Sequence, residues 1–304
     1  MSFMKLIKKG KVKDVYEVDG NKLLFEFSDR ISVFDKPIPT LIPHKGETLA
    51  RTSAYWFEVT SQLGIKTHFI EFIPPNKMCV KRVNVISDYS LLTQTTINYL
   101  IPLECITRYF VYGSLFDRIK NGVIKPEQLG FRPTHEIKLG EELPEPYFEV
   151  TTKLEKFDRN LTTEEALKIS SLTKEEFERM KEICLKIDEE INRKAKQRGL
   201  IHVDGKKEFA FDEERDLMVV DTFGTADEDR FWDAKEFERG NFVERSKEVV
   251  RQYYKKTGYY KKLMEARKEG KEEPPIPPLP NEMVEKVSEI YIKLFEDITG
   301  ENFR

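Results

Sequence analysis

The spacing of apolar residues changes along this 304-residue chain. Up to about residue 82 the apolar runs are short, alternate with polar residues and are interrupted by turn sequences, as is typical of β-strands. Further on, apolar residues recur three and four positions apart over longer stretches, as in amphipathic helices. Because a single hydrophobic core rarely grows beyond roughly 250 to 300 residues, two lobes are predicted: a β-rich lobe over 1–82 and an α+β lobe over 83–304.

Turn and cap residues place several elements within these lobes. Asp19-Gly20-Asn21 predicts a hairpin between strands over Val12–Val18 and Lys22–Phe27. A helix is predicted over Thr48–Leu63, with Gly64 as its stop. The other predicted elements are a strand over Lys77–Val85, helices over Thr162–Ile169, Lys174–Gln197 and Asn281–Thr299, and strands over Leu200–Val203, Lys207–Phe211 and Leu217–Val220. The charged tract Gly258–Lys271 and the prolines that follow are predicted to form an exposed connection.

Charge and composition restrict the class of partner. Lys and Arg total 51 and Asp and Glu total 54, a net charge of -3, so a nucleic-acid partner is not favoured. No run approaches the roughly 18 apolar residues of a membrane span, and lysines interrupt the opening residues before a signal-peptide core forms. The three cysteines are scattered, which favours a reducing compartment and a cytoplasmic location. Small-molecule substrates are the expected partners, and self-association into a homo-oligomer stays open.

One segment suggests a phosphate-binding loop at the first hairpin. Gly10 is followed by Lys11 and Lys13 on the approach to a strand. Backbone N–H groups and ammonium groups in such a loop can neutralise a triphosphate. Taken alone, the segment favours the alternative, a surface strand flanked by solvated lysines.

Two further segments combine arginine with polar turns. Arg108 and the Gly113-Ser114 turn lie at one end of an aromatic, strand-like run, and together they offer the donors that a phosphate monoester requires. The segment Thr225–Trp232 is a polar turn that ends in Arg230 and two aromatic residues. Either segment can instead be an ordinary strand end with a solvated arginine or a charged loop anchored by tryptophan.

Carboxylates at the ends of neighbouring predicted strands suggest a metal site. Glu208 lies in the segment Val203–Phe209, and Asp221 follows the apolar strand after it. Carboxylate oxygens in that arrangement suit a hard cation such as Mg²⁺, which also binds phosphate oxygens. Solvated acids across a hairpin are the alternative. The segments together predict an enzyme that uses ATP and Mg²⁺ to activate a small phosphorylated substrate.

Taken in order, these segments resemble the SAICAR synthetase family. The matching segments are Gly10–Tyr16, Ser28–Asp35, Ile42–Gly46, Arg108–Ser114, Glu145–Glu155, Asp204–Phe209 and Thr225–Trp232. The resemblance runs from about Lys8 to Thr299. It implies a two-lobed α+β fold, with an ATP-grasp-like second lobe and with ATP in the cleft between the lobes.

The resemblance also implies a reaction and a set of residues. The family joins L-aspartate to the carboxylate of carboxyaminoimidazole ribotide (CAIR) through an acyl phosphate, with ATP and Mg²⁺, in purine biosynthesis. Residues implied to bind ATP are Lys11, Lys13, Val15, Lys81, Lys153, Glu208 and Asp221, of which Glu208 and Asp221 also hold Mg²⁺. Arg108, Ser114 and Arg230 are implied to bind the ribotide, and Lys206, Asp158 and Asp227 to act in catalysis.

Departures from the family pattern lie toward the substrate side. The chain has Phe157-Asp158-Arg159-Asn160 where the family usually has H-D-E-N, and Thr222 where it usually has an acid. An additional stretch near Val83–Tyr99 separates the predicted strand before it from the Arg108 segment. These changes keep two rivals open: a divergent ligase for another acid or amine, and a nucleotide-binding protein without catalysis. Arg159 either supplies a partner for a dicarboxylic amine or points to solvent.

Overall fold

A computed structural model of the protein describes residues 4–304. Residues 1–3, part of the opening segment considered as a signal peptide, lie outside the described part. The N-terminal elements are β1 (Lys5–Lys9), β2 (Lys13–Asp19), β3 (Lys22–Phe27), β4 (Arg30–Val33), β5 (Lys36–Leu41), α1 (Lys45–Gln62), β6 (Phe69–Ile73) and β7 (Lys77–Lys81). Within residues 4–304, no helix combines the length and the apolar character needed to cross a membrane.

The N-terminal strands form a curved antiparallel sheet in the order β1-β2-β3-β7-β6. The predicted hairpin is confirmed: β2 and β3 pair around the Asp19–Asn21 turn, where Asp19 accepts a hydrogen bond from the Asn21 amide. Strand β3 supplies Leu24, Phe25 and Phe27 to the core, whereas β1 is exposed along its length. Because Leu24 and Phe25 are neighbours and project to opposite faces, both faces of β3 are covered in part, whereas the edge strand β1 is left to solvent.

The second part of the chain carries a second sheet and the longer helices. Its elements are β8 (Tyr99–Phe110), α2 (Ser114–Lys120), β9 (Glu142–Thr152), β10 (Asn160–Leu161), α3 (Thr163–Ser170), α4 (Lys174–Gln197), β11 (Leu200–Phe211), β12 (Leu217–Val220), β13 (Arg230–Asp233), α5 (Ala234–Glu238), α6 (Glu248–Lys256), α7 (Tyr259–Lys268) and α8 (Asn281–Thr299). The sheet runs β10-β9-β8-β11-β12, and β13 also pairs with β11. Long strand β11 is therefore central.

The helices pack by the faces that their sequences predict. Helix α4 begins at a Thr173 capping box and buries Phe177, Met180, Ile183 and Ile187. Helix α1 buries Trp56 and Phe57, and α8 packs against it through residues such as Tyr291. The largest core cluster draws on both parts of the chain. The division at residue 82 therefore stays a prediction, although the first sheet ends at Lys81.

Three secondary-structure predictions are wrong, two of them for identifiable reasons. The predicted break between Val203 and Lys207 is absent, because Asp204 and its neighbours continue the ladder with β8 and β13. The tract Gly258–Lys271 is not an exposed connection throughout. It contains helix α7, in which Tyr259 and Leu263, four residues apart, are buried beneath a lysine-rich outer face. Strand β7 also ends at Lys81 and does not reach Val85.

Candidate active site

Two cavities lie beside strand β11. The apolar cavity, of about 470 Å³, separates the two sheets and is lined by Ile7, Lys8, Lys13, Val15, Leu23, Phe25, His68, Lys81, Arg82, Val83, Asn84, Val85, Leu100, Lys153, Glu208, Val220 and Asp221. The charged cavity, of about 570 Å³, is lined by Lys11, Val12, Ser32, Asp35, Glu104, Ile106, Arg108, Ser114, Thr151, Asp158, Asn160, Asp204, Gly205, Lys206, Ala226, Asp227, Glu228, Asp229, Arg230, Ser246, Lys247 and Arg251.

Strand register brings charged residues together at these cavities. In the β8–β11 ladder, Asp204 lies opposite Arg108, and Glu208 lies opposite Glu104. Alternate residues of a strand face the same side of its sheet, so Asp204, Lys206 and Glu208 project together. The D-x-K-x-E spacing seen in the sequence is therefore one face of a buried strand.

The cavities meet at a group of lysines and glutamates. Lys206 Nζ, which faces the charged cavity, donates to Glu104 Oε1 at 2.9 Å and to Glu208 Oε1 at 3.0 Å. Lys153 Nζ lies 2.5 Å from Glu208 Oε2. Burial alone would raise the pKa of Glu208, but Lys153 and Lys206 hold it well below its ordinary value. Glu208 is therefore a buried carboxylate that stays ionised.

Lys206 stays protonated because glutamates surround its ammonium group. Burial would lower the pKa of Lys206, but Glu228, Glu208 and Glu104 raise it well above its ordinary value. Burial raises the pKa of Glu104, against the opposing effect of Lys206. The junction between the cavities thus presents a permanent ammonium group to the charged cavity.

Lys13 and Asp221 form an ion pair at the wall of the apolar cavity. Burial lowers the pKa of Lys13 to about 7, although Glu208 and Glu228 oppose this change. Asp221 directly follows β12 and has a left-handed backbone, with φ 63°. Val15 and Lys81 line the same cavity, as does the buried ring of His68.

An arginine cluster occupies one side of the charged cavity. Arg108 donates from Nε to Glu149 at 2.7 Å, from Nη1 to Asp204 at 3.2 Å and from Nη2 to Ser114 Oγ at 3.1 Å. Arg230 Nη1 donates to the same Asp204 carboxylate at 2.5 Å. Arg108 and Arg230, the two predicted arginines, thus share one carboxylate. Arg230 also packs over Gly113, and a Cβ added to this glycine would lie 3.0 Å from Arg230 Nη2.

Asp227 is held by donors from three separate segments. Tyr291 Oη donates to Asp227 Oδ1 at 2.5 Å, and Lys45 Nζ donates to Oδ2 at 3.0 Å. Lys247 Nζ, which lines the charged cavity, lies 3.6 Å from the same oxygen. Burial would raise the pKa of Asp227, but Lys247 and Lys45 hold it far below its ordinary value. The carboxylate therefore anchors cationic groups beside the cavity.

The segment Phe157–Asn160, which departs from the family pattern, has some side chains in the charged cavity and others at the surface. Asp158 and Asn160 line the charged cavity. Burial, together with the charge of Asp35, raises the pKa of Asp158. Arg159 is 48% exposed and pairs with Glu165 at 3.2 Å and Glu155 at 3.5 Å, outside both cavities. Of the two placements considered for Arg159, the structure has the solvent-facing one.

The residues predicted to bind ATP divide between the cavities. Six of them, Lys13, Val15, Lys81, Lys153, Glu208 and Asp221, line the apolar cavity. Lys11 is the exception, because it lines the charged cavity and pairs with Asp35 at 2.9 Å. The residues predicted for substrate binding and catalysis, Arg108, Ser114, Arg230, Lys206, Asp158 and Asp227, all line the charged cavity.

Sequence reasoning missed several charged residues of this cavity. Glu104 and Glu228 contact Lys206, at 2.9 Å and 3.2 Å, while Lys247 and Arg251 extend the cationic lining. Glu104 and Arg108 lie four residues apart on β8. Because side chains at even spacing face the same side of a strand, the sequence could have placed Glu104 beside Arg108. Lys247 and Arg251, four residues apart, stand at the start of α6, and nothing in their spacing separates them from a solvated helix face.

A buried polar network lies behind strand β11. Asp188, His202 and Asp229 place possible ligand atoms within 4.8 Å of one another. His202 contacts Asn192 Oδ1 through Nδ1 and Asp229 Oδ2 through Nε2, both at 2.8 Å, and Lys207 Nζ pairs with Asp188. The Lys207 ammonium already provides the cationic charge that this acidic group requires. A side chain at Gly205 would collide with Asp229, so glycine permits this close approach.

Comparisons with known proteins give one consistent result. The family model described as SAICAR synthetase matches residues 6–266. The phosphoribosylaminoimidazole-succinocarboxamide synthase of Thermoplasma acidophilum is 54% identical over 300 residues, which cover 99% of this chain and 100% of the relative.

Solved structures agree with the sequence comparison. A SAICAR-synthase from Saccharomyces cerevisiae, complexed with SAICAR, superposes with a TM-score of 0.76 and 24% identity, and the match covers 99% of this chain and 97% of the other. A SAICAR synthetase in complex with ADP superposes with a TM-score of 0.69 and 26% identity, and that match covers 98% and 99% of the two chains. The α+β fold expected from the sequence is thereby confirmed.

Proposed function

The chain belongs to the SAICAR synthetase family, and from this premise we propose that it joins L-aspartate to the carboxylate of CAIR, forming SAICAR, ADP and phosphate. The protein is accordingly an ATP-dependent carbon–nitrogen ligase of purine biosynthesis. The 54% identity over the full length of a named relative supports this assignment over a ligase with other substrates or an inactive relative.

The observation that carries the proposal is the junction between the two cavities. Lys206 faces the charged cavity and contacts Glu208, and Glu208 lines the apolar cavity together with Lys153. A reaction that moves a phosphoryl group from a nucleotide to a second anion requires the two to meet in a region of positive charge. The apolar cavity fits the nucleotide and the charged cavity fits the ribotide.

ATP is assigned to the apolar cavity because of its mixed lining. Val15, Leu23 and Phe25 from the first sheet offer apolar contact for a base. Lys13, whose Nζ lies 4.5 Å from the centre of the Phe25 ring, and Lys153, which directly follows β9 of the second sheet, supply positive charge to the same cavity. An ADP complex of a related synthetase supports nucleotide binding by the family. Lys81 and Asp221 complete the assignment in that cavity, and Lys11 is proposed to reach phosphate from the charged side.

The residues of the predicted metal site fit Mg²⁺. Glu208 is buried and held ionised, and Asp221 Oδ1 is buried without a hydrogen-bond donor beyond its ion pair with Lys13. Two carboxylates beside a phosphate-binding cavity are the oxygen donors that Mg²⁺ takes in nucleotide enzymes. Glu208 and Asp221 would hold the ion, which would offset phosphate charge during transfer. Lys13 and Lys153 are free to turn from these carboxylates to the phosphates.

The charged cavity is proposed to hold CAIR and aspartate. Arg108, Ser114 and Arg230 offer donors for the ribotide phosphate, and Lys206 offers an ammonium group for the carboxylate of CAIR. That carboxylate attacks the γ-phosphorus of ATP, the bond to the β-phosphate oxygen breaks, ADP leaves, and the carboxylate becomes an acyl phosphate. The aspartate amine then attacks the acyl carbon, phosphate leaves, and the amine gives up a proton. Asp158, whose pKa is raised by burial, is a candidate to accept that proton.

A substrate-omission assay tests the proposal. The purified protein is incubated with ATP, Mg²⁺ and CAIR, with and without L-aspartate, while ADP and the succinocarboxamide are measured. Product that requires all components is the expected result. Turnover only with another amino acid would indicate the divergent ligase, and nucleotide binding without any turnover would indicate an inactive relative.

A further inference from the structure

Helix α7 contacts two chain segments that border the charged cavity. Arg267, near the end of α7, donates from Nη2 to the carbonyl oxygen of Phe34 at 2.8 Å and from Nε to Glu273 Oε1 at 2.9 Å. Its guanidinium carbon also lies 5.5 Å from the centre of the Phe157 ring. The side chain is only 18% exposed, although the tract is rich in charge. One arginine thus contacts two chain segments that are far apart in sequence.

The first of these segments is the turn between β4 and β5. Phe34 and Asp35 both have left-handed backbones, with φ 52° and 64°, a conformation that costs free energy for residues other than glycine. Contacts from outside the hairpin offset this cost: Phe34 packs on Tyr260 with ring centres 4.6 Å apart, and Lys36 pairs with Glu273 at 3.0 Å. Asp35 faces the charged cavity and pairs with Lys11.

The second segment contains the residues that depart from the family pattern. Phe157 is 48% exposed, and its ring contacts the cations of Lys156 and Arg267. The next residue, Asp158, lines the charged cavity near Asp35. An exposed phenylalanine held by a planar guanidinium gives this loop a fixed point one residue away from the cavity.

We propose that Arg267 is a positioning residue that joins the β4–β5 turn to the Phe157–Asp158 segment and thereby sets the entrance through which the amino-acid substrate binds. Arg267 is the residue immediately after the last one matched by the family model. Lys11 and Asp158 present opposite charges at this entrance, a pairing that suits a substrate with both an amine and carboxylates. The identity of the substrate rests on the proposed function.

Steady-state kinetics test the role in binding. Arg267→Ala is expected to raise the KM for L-aspartate about three- to tenfold, the range for losing a cation–π contact and a charged hydrogen bond near a site. The dissociation constant for ATP should change by less than the KM for L-aspartate, because no described residue of α7 lines the apolar cavity, and Lys11, through Asp35, connects this turn to the phosphates at one point. Arg267→Lys keeps the charge but loses the planar fork, so its KM should lie between those of Arg267→Ala and the wild type.

A matched control comes from an exposed arginine outside both cavities. Arg179 on α4 is 62% exposed, and among residues 4–304 its one ion pair is with Glu182, nearby on the same helix. Arg179→Ala should leave every constant unchanged. An aspartate KM that is unchanged in Arg267→Ala, or an equal loss of ATP binding, would overturn the proposal.

Hydrogen–deuterium exchange tests the same proposal without any substrate. In Arg267→Ala, the amides of residues 30–41 and 153–160 should both exchange faster, while those of β11 should not change. Faster exchange confined to α7 would show that Arg267 stabilises only its own helix, and would refute the positioning role. This measurement separates the proposal from the proposed function, since a protein that fails to make SAICAR would still reveal whether Arg267 joins the two segments.

Discussion

Lys153 Nζ lies 2.5 Å from one oxygen of Glu208, and Lys206 Nζ lies 3.0 Å from the other. The two ammonium groups approach the same carboxylate from different sides: Lys153 lines the apolar cavity and Lys206 the charged one. Repulsion between a triphosphate and a second anion falls steeply where fixed cations lie between them. Glu208 therefore holds two ammonium groups at the junction, and its negative charge offsets the repulsion between them.

Replacement of Glu208 by glutamine should abolish turnover while the fold survives. The amide has the same shape but offers no charge to a cation or to Lys153 and Lys206, so kcat should fall by at least about a hundredfold. The ligation assay at saturating Mg²⁺ measures this loss, and thermal unfolding checks the fold. Glu214→Gln, a change at an exposed glutamate, serves as control. Near-normal activity in Glu208→Gln would remove this residue from the site.

Replacement of Arg108 by lysine should weaken the binding of CAIR more than the binding of ATP. The guanidinium bonds Glu149, Asp204 and Ser114 at once, whereas an ammonium group cannot match this fork. The KM for CAIR is expected to rise about tenfold or more, with ATP affinity within about twofold. Calorimetric titration with each ligand makes the comparison. Equal losses for both ligands would count against a role specific to the ribotide.

Substitutions at the neighbouring residues Arg159 and Asp158 should have different effects on the kinetics. Because Arg159 points to solvent and pairs with surface glutamates, Arg159→Ala should leave the KM for aspartate within about twofold. Asp158→Asn, which removes a charge from the cavity lining, should raise that KM or lower kcat by about tenfold or more. Both variants are assayed with L-aspartate, L-glutamate and L-alanine. A large effect of Arg159→Ala would require Arg159 to turn inward when substrate binds.

ATP affinity should weaken as the pH rises above 7. Burial lowers the pKa of Lys13 to about 7 in the free protein, so Lys13 must regain a proton to bind phosphate above that pH. The dissociation constant should increase by up to about tenfold per pH unit above 7. Calorimetry in buffers of different ionisation enthalpy would detect the proton uptake. Lys13→Arg stays charged and should show a flatter profile, and parallel profiles for the two proteins would exclude Lys13.

The same pKa has an opposite consequence for stability. An unfolded chain keeps the Lys13 proton up to its ordinary pKa of 10.5, whereas the folded protein releases it near pH 7. Over the window from about pH 7 to 10.5 the unfolded state binds more protons, so this group increases the free energy of unfolding as the pH rises. Ligand binding and stability therefore respond to Lys13 in opposite directions.

The buried pair behind β11 should show strong coupling in a double-mutant cycle. Lys207 and Asp188 are both fully buried, so removal of either one leaves an uncompensated charge. Asp188→Leu or Lys207→Met alone should lower the free energy of unfolding by about 3 to 5 kcal/mol, and the double variant should lose much less. Urea unfolding measures all four proteins. Additive losses would show that the two charges do not depend on each other.

Local patterns were sufficient to predict much of the fold. The β2–β3 hairpin, helix α4 and helix α8 follow from turn residues, a capping box and a single apolar face. Helix α7 could not be predicted in this way, because only Tyr259 and Leu263 are buried beneath its lysines. Continuous strand β11 was missed for a related reason: its central charges look like a turn until β8 and β13 supply their partners.

The candidate site was predictable where its residues share one element. Asp204, Lys206 and Glu208 alternate along β11, so their common face is readable from sequence. The contribution of Lys45 and Tyr291 to Asp227 was not readable, because those residues lie 182 and 64 positions away from it. Pairings of this kind are set by the packing of α1 and α8, which no local pattern records.

The left-handed backbone of Asp221 sets local stability against the metal-binding role proposed for this residue. With φ 63°, this position would suit glycine better than aspartate by about 1 kcal/mol. A procedure that redesigned the chain for heat resistance alone would therefore replace Asp221, and the improved scaffold would lose the carboxylate proposed to hold its metal ion. Thermostable variants meant for synthesis should be selected with this position held fixed.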